Sequence, residues 1–210
     1  MTGRSAESSS NAPSGVPTVT GLRRARHGRV RVELDGAEWR VLPDDVIVRA
    51  GLAVGLRLDR PRLRQLAREL RRSRALAIAG RALAARDLSE QGLDERLRRA
   101  GVSPATRAEV VDMLRKAGLL DDERLAYARA VALAERGLGD AAIRWDLERR
   151  GISPDLADRA VGALEAEAQR ARRLVAAHGS GIKIARHLTR KGFSLEAIEA
   201  AGLEAVAPEP

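Results

Sequence analysis

Three times along this chain, cations, a glycine, an apolar residue and a serine recur in one fixed frame. The segments are Arg98-Arg99-Ala100-Gly101-Val102-Ser103-Pro104, Glu148-Arg149-Arg150-Gly151-Ile152-Ser153-Pro154 and Thr189-Arg190-Lys191-Gly192-Phe193-Ser194-Leu195. Aligned on the glycine, Leu97, Leu147 and Leu188 stand four residues before it, Leu93, Ile143 and Ile184 eight before, and Leu83, Leu133 and Leu174 eighteen before. Apolar matches alone are cheap in so aliphatic a chain. Glycine-apolar-serine in one frame is not.

The residue types follow from helix chemistry. Apolar residues at minus eight and minus four lie on one face, one turn apart. A glycine just beyond the cationic end of that helix suits a C′ residue in the left-handed conformation, with Arg or Lys beside the carbonyl end. The serine two residues on is an N-cap, and Pro104 and Pro154 take the first helical position after it. Each unit then holds three short helices, and the glycine spacings of 50 and 41 residues accommodate variable loops. The expected fold is mainly α: three tandem three-helix repeats in an elongated, curved array, preceded by a small N-terminal region containing a β-hairpin. The expected boundaries are a disordered tail over 1–20, the hairpin region with a short helix over 21–60 and a helical connector over 61–75. Repeats over 76–118, 119–164 and 165–205 follow, then a tail over 206–210. Leu97, Gly101 and Ser103, with Leu147, Gly151 and Ser153 and Leu188, Gly192 and Ser194, are its structural positions.

In the N-terminal region, Val30, Val32 and Leu34 alternate on one predicted strand and Trp39 and Val41 on the next. Asp35-Gly36 lies between them as a two-residue turn. A loop of that length pairs Val32 with Trp39 and Val30 with Val41. Asp44-Asp45 is expected to cap a short helix through Val46, Ile47 and Leu52, with Leu56-Arg57-Leu58 as a third extended piece. Asp59 before Pro61 reads as a helix start. The stretch 62–86 is one long helix or two with a bend near Ser73 or Gly80.

Aromatic residues make up only 2% of the chain, so Leu, Ala, Val and Ile must fill the core. Cysteine is absent, which excludes disulfides, thiol nucleophiles and cysteine–zinc sites. There is no apolar run of membrane-spanning length, and the expected location is the cytoplasm. The formal charge of +9 is unevenly spread. Residues 21–75 hold 15 Arg against 7 acids, whereas 76–210 hold 22 cations against 21 acids. A nucleic-acid binder working mainly through its repeats would carry its cations there. Contact with single- or double-stranded DNA is therefore assigned to Arg23, Arg24, Arg26, Arg71 and Arg72.

Chemistry-bearing constellations are lacking. Asp121-Asp122-Glu123 precedes an apolar-periodic helix and reads as capping carboxylates. His27, His178 and His187 share no zinc-ligand spacing, so no metal is expected. Gly179-Ser180-Gly181-Ile182-Lys183 lacks the spacing of a phosphate loop and reads as a turn. The chain is expected to be no enzyme and to need no cofactor. Arg98, Arg99, Arg144, Arg149, Arg150, Arg190 and Lys191 read either as solvated helix-end charge or as a basic ridge meeting an acidic partner. Trp145 and Tyr127 are read as core, with partner contact as the alternative.

Gly118-Leu119-Leu120-Asp121-Asp122-Glu123-Arg124-Leu125-Ala126, then Arg136-Gly137, Ile143, Leu147 and Arg150-Gly151-Ile152, resemble the RecX family of bacterial recombination regulators. Ala82-Leu83, Arg86, Leu88-Ser89 and Leu93 look like its first repeat, and the resemblance covers about residues 75–203. It implies three three-helix repeats and a monomer that binds the RecA filament within its helical groove. Such a protein limits ATPase and strand exchange in DNA repair, recombination and the SOS response. The rival readings are an Arg-rich helical DNA-binding protein and a helical-repeat adaptor for another protein.

Overall fold

A computed structural model describes residues 15–203. It divides into two compact units, with the boundary at Ala77/Ile78. The expected tails fall largely on 1–14 and 204–210, outside the described residues.

The first unit is a three-stranded antiparallel sheet of β1 (Val19–Ala25), β2 (Arg29–Leu34) and β3 (Ala37–Pro43), in that order. Helix α1 (Asp44–Arg49) follows, then α2 (Arg60–Ala85), which crosses the unit boundary. Val19, Val32 and Leu42 pack with Val46, Ile47, Leu52, Leu58 and Leu66 in one core. The Asp35-Gly36 turn forms as its residue types require, with φ of 49° and 85°. The expected register does not persist. Leu34 pairs with Ala37, but a bulge beyond Glu33 puts Val32 opposite Arg40 and Val30 opposite Leu42. The extra residue turns Leu42 into the core and leaves Val41 exposed. Strand β1 went unrecognised because its own register break at Val19/Gly21 interrupts the period of two. The Leu56-Arg57-Leu58 segment lies beside the start of β1, Arg57 bridging to Thr18, the Val19 amide donating to the Leu56 carbonyl at 2.9 Å and the Leu58 amide to that of Pro17 at 2.7 Å. At α1 the cap residue is Pro43 rather than an aspartate. Helix α2 is continuous, and Asp59 Oδ1 accepts from the Arg62 amide at 2.9 Å at its start.

The second unit continues with α3 (Glu90–Arg99) and α4 (Pro104–Lys116), then α5 (Asp122–Glu135), α6 (Asp140–Arg149) and α7 (Pro154–Gly162). Last come α8 (Glu167–His178), α9 (Ile182–Arg190) and α10 (Leu195–Ala200). Helices α3, α6 and α9 are the middle helices of the three repeats. Each ends at the in-frame glycine, with φ of 74° at Gly101, 85° at Gly151 and 82° at Gly192. At each turn the glycine amide bonds the carbonyl three residues back, and the next amide reaches five back: Val102 to Leu97, Ile152 to Leu147, Phe193 to Leu188, all at 3.1 Å. That double closure is a Schellman motif. Leu97, Leu147 and Leu188, whose carbonyls it uses, are fully buried. Ser103, Ser153 and Ser194 are the N-caps of α4, α7 and α10, but only Ser194 takes the capping bond, from the Ala197 amide at 3.2 Å. In α4 and α7 a proline in the first turn already removes one orphan donor.

Cores form within the repeats. Ala126, Ala130 and Leu133 of α5 meet Ile143 and Leu147 of α6 and Leu156, Ala157 and Ala160 of α7. Ala171 of α8, Ala185 and Leu188 of α9, Phe193 and Ile198 make the third. Alanine recurs where helices close on one another, which is how a chain so poor in aromatics fills its interior.

Adding a Cβ separates the roles of the three glycines. At Gly101 it meets nothing within 4 Å, whereas at Gly151 it lies 2.7 Å from Gln91 Cβ and at Gly192 2.6 Å from Ala142 Cβ. Gly101→Ala is expected to lose about 1 kcal/mol, the cost of positive φ alone. Gly151→Ala and Gly192→Ala should lose clearly more in urea unfolding. Equal losses at all three would show that the close approaches contribute nothing.

Candidate functional site

The crowded glycines mark the joints between repeats. At the first joint the start of α3 rests on the end of α6. The buried Ser89 hydroxyl accepts from the Gly92 amide at 3.0 Å and donates to the Arg150 carbonyl. Asp122 of α5 accepts from the Glu90 amide at 2.8 Å. The second joint repeats the plan with other residues. The Gly139 and Ala141 amides donate to the Lys191 and Gly192 carbonyls at 2.9 and 3.2 Å. Glu167 of α8 accepts from the Asp140 amide at 2.6 Å. Arg170, 4% exposed, completes it by donating to the Leu138 carbonyl at 2.8 Å and pairing with Asp140. A carboxylate from the following repeat thus meets the amides that open α3 and α6, where the helix dipole favours it. Asp121 caps α5 through the Arg124 amide at 2.9 Å, as its position suggested, but the reach of Asp122 to another helix was not foreseen.

Around the first joint lies a cleft of about 340 Å³, whose cationic lining is Arg86, Arg96, Arg99, Arg149 and Arg150. A second groove of about 630 Å³ shares Arg86, Arg96 and Arg99 and has Ile78, Ala82 and Leu88 among its apolar walls. Arg86 and Arg96 were not singled out from the sequence, because only the fold brings the end of α2 beside the outer face of α3.

The expected partner-binding residues differ in what holds them. Arg98 Nε and Arg99 Nε donate to Glu95 at 2.6 and 2.8 Å, and these bonds, Arg98's first, hold the Glu95 carboxyl at about 2. Arg144 Nε bonds Asp158 at 2.6 Å. Arg150 Nε bonds Asp146 at 2.8 Å, and Arg129 bonds the same carboxylate at 2.9 Å, keeping it ionised to lower pH than an ordinary aspartate. The Arg149 guanidinium lies 4.9 Å above the Trp145 ring. Arg190 and Lys191 meet no described acid. Among the expected DNA-contacting residues, Arg23 pairs with Glu33 at 3.1 Å and Arg72 lies 3.9 Å from Glu69, while Arg24, Arg26 and Arg71 are exposed.

Trp145 is 62% exposed and does not belong to the core; Tyr127 packs partly buried against it. The sequence did carry the signal. Ile143 and Leu147 define the inward face of α6, and residue 145 lies about 200° round the helix from each. An aromatic side chain stacked on arginine beside an arginine-lined cleft is equipped to bind another macromolecule. Among the described residues no group of His, Asp and Glu is placed to hold a metal ion, and no helix is long and apolar enough to cross a membrane.

Comparison with known proteins gives a consistent picture. A family model described as RecX, second three-helix domain, matches residues 121–161. The chain is similar to the regulatory protein RecX of Deinococcus radiodurans, 35% identical over 108 residues, or 51% of this chain and 51% of that one. The chain therefore spans about half the length of that relative. The regulatory protein RecX of Halorhodospira halophila is 31% identical over 135 residues, 60% of this chain and 84% of that one. Among solved structures, a crystal structure of regulatory protein RecX superposes with a TM-score of 0.75 at 20% identity, covering 89% of this chain and 98% of that one. RecX from Lactobacillus salivarius gives 0.56, also at 20% identity, over 62% and 94%.

The joints carry a pH signature. Burial pushes the Asp122 carboxyl up. A raised carboxyl favours folding most when protonated, and that contribution fades as pH rises through its folded pKa. Asp122→Asn keeps an oxygen to accept from Glu90 and removes the charge. It should be more stable than the parent at pH 7, with the gap closing as pH falls through the raised pKa towards the ordinary carboxylate value of about 4. Asp122→Ala, lacking the acceptor, should be less stable than Asp122→Asn at both ends. Unfolding curves at pH 4 and pH 7 check both.

Proposed function

This chain belongs to the RecX family, and from that premise we propose that it binds the RecA filament and restrains its ATPase and strand-exchange activities in DNA repair and recombination. A regulatory role is what the family supplies; the filament as target, its groove as the place and inhibition as the sign are our reading. The observation that carries it is the exposed Trp145–Arg149 stack beside the cleft at the first joint. An aromatic of that size left outside an aromatic-poor core stabilises little in the free chain, but it is the kind of anchor that dominates protein interfaces. A surface built from successive repeats suits a target that is itself a repeating polymer, because neighbouring subunits meet neighbouring repeats.

Within this reading the cationic residues divide the work. Trp145 and Arg149 form the anchor, with Arg96 and Arg99 at the cleft wall. Arg98 adds charge that Glu95 largely offsets, Arg144 ties α6 to α7 through Asp158, and Arg150 is paired within its own helix with Asp146. Arg190 and Lys191 extend the surface into the third repeat.

The test is co-sedimentation with RecA assembled on single-stranded DNA with a slowly hydrolysed nucleotide, alongside naked DNA and unassembled RecA, at two salt concentrations. Saturable pelleting with the filament should survive salt that strips the protein from DNA alone. Trp145→Ala with Arg149→Ala should weaken it by about 30-fold or more, as loss of an interface hot spot of about 2 kcal/mol does. Pelleting that only tracks naked DNA, or a double variant that binds like the parent, would count against the proposal.

A further inference from the structure

The third repeat departs from the other two in its charge. Between Ala168 and Leu195 there are seven Lys and Arg and no Asp or Glu. Three of the seven are occupied: Arg170 at the second joint, Arg172 on the Ala200 carbonyl at 3.0 Å, and Arg173 on Glu165. The remaining four, Lys183, Arg186, Arg190 and Lys191, make no side-chain ion pair or hydrogen bond with any described residue. The equivalent helices are built differently. Helix α3 carries Glu90, Asp94 and Glu95, and α6 carries Asp140, Asp146 and Glu148; most of these engage neighbouring arginines or, through Asp140, the joint.

We propose that the outer face of α9 is a contact surface for the phosphodiester backbone of a nucleic acid. Lys183, Arg186, His187 and Arg190 recur at three- and four-residue spacing and are all exposed. They spread over roughly 100° of the helix, opposite the buried Ala185 and Leu188. Along the axis they cover about 10 Å, close to the rise of three base pairs. The stripe contains no acid to repel phosphates and none to satisfy its cations internally. It also contains no apolar anchor. Ile182, at the first turn, is the one large apolar side chain of α9 left exposed, and the stripe itself is wholly polar. Protein interfaces concentrate their energy in buried aromatic and apolar contacts and are depleted in lysine. Phosphate recognition needs only cations in register and positions a chain without reading its sequence. The grooves near α3 have apolar walls; this face has none. This places nucleic-acid contact in the third repeat as well as at the front of the chain, where overall charge suggested it.

The surface is separate from the recombinase reading and is tested without RecA. Binding of the full chain to a labelled oligothymidylate and to a labelled duplex is followed by fluorescence anisotropy over a range of salt. The variants are Arg186→Ala/Arg190→Ala and the charge-preserving Arg186→Lys/Arg190→Lys, each first checked for parental helicity. Loss of two phosphate contacts should make log K against log salt shallower by about 1.4 on the single strand and about 1.8 on the duplex. Affinity at low salt should fall at least tenfold, and the lysine variant should keep the parental slope. A parental slope and affinity in the alanine variant would overturn the proposal. So would a loss confined to a poly-glutamate probe, which would assign the face to acidic peptides. None of these results depends on whether the chain binds a filament.

Discussion

Everything in the helical unit hangs on how a middle helix ends. Its last carbonyls cannot be paired within the helix, and a left-handed glycine turns the backbone so that the next two amides fold back onto them. That closure leaves other carbonyls facing outward: Arg150's at one joint, Lys191's and Gly192's at the other. The preceding repeat brings the start of its own middle helix onto them, through Ser89 at the first joint and through Gly139 and Ala141 at the second. The unsatisfied end of one helix and the unsatisfied start of another thus answer each other, with Asp122 or Glu167 supplying the missing acceptor. A side chain on Gly151 or Gly192 would hold the two apart.

This arrangement decides where charge goes. Asp94, Glu95, Asp112, Asp146 and Asp158 pair with arginines of the first two repeats, so their cationic character is local: the cleft walls and Arg149 on Trp145. The third repeat differs. Its middle helix carries no acid, and its outer face keeps the charge that the others offset. Repeats of common plan therefore present different surfaces, one with an aromatic anchor and one with bare cations, on a shared scaffold. Such division is available to any repeat protein, because the residues that maintain the frame are few and inward, while the outward positions are free to differ.

Membership in the family, the three-helix plan and the glycine turns were legible because each rests on local chemistry: a positive φ, a capping position, apolar residues one turn apart. The exposure of Trp145, read as core from the shortage of aromatics, is also written locally, in its angle from Ile143 and Leu147. The strand register was not. A single extra residue beyond Glu33 exchanges the faces of Val41 and Leu42, and no alternation in the chain announces it. Nor was β1 visible, since its register breaks where its pattern would have begun.

The sequence by itself determined how the middle helices of the repeats end and where their inward leucines lie, because those depend on neighbours within about four residues. Tertiary structure alone decided which arginines are spent. Whether a guanidinium is free or paired depends on carboxylates far along the chain, as when Arg144 meets Asp158 and Arg170 meets Asp140, and on which helix end lies against which. Spacing in sequence carries no record of that pairing, so cations that share one frame differ once the chain folds: Arg98 and Arg150 are paired, Arg149 lies on Trp145 and Arg190 meets no described acid.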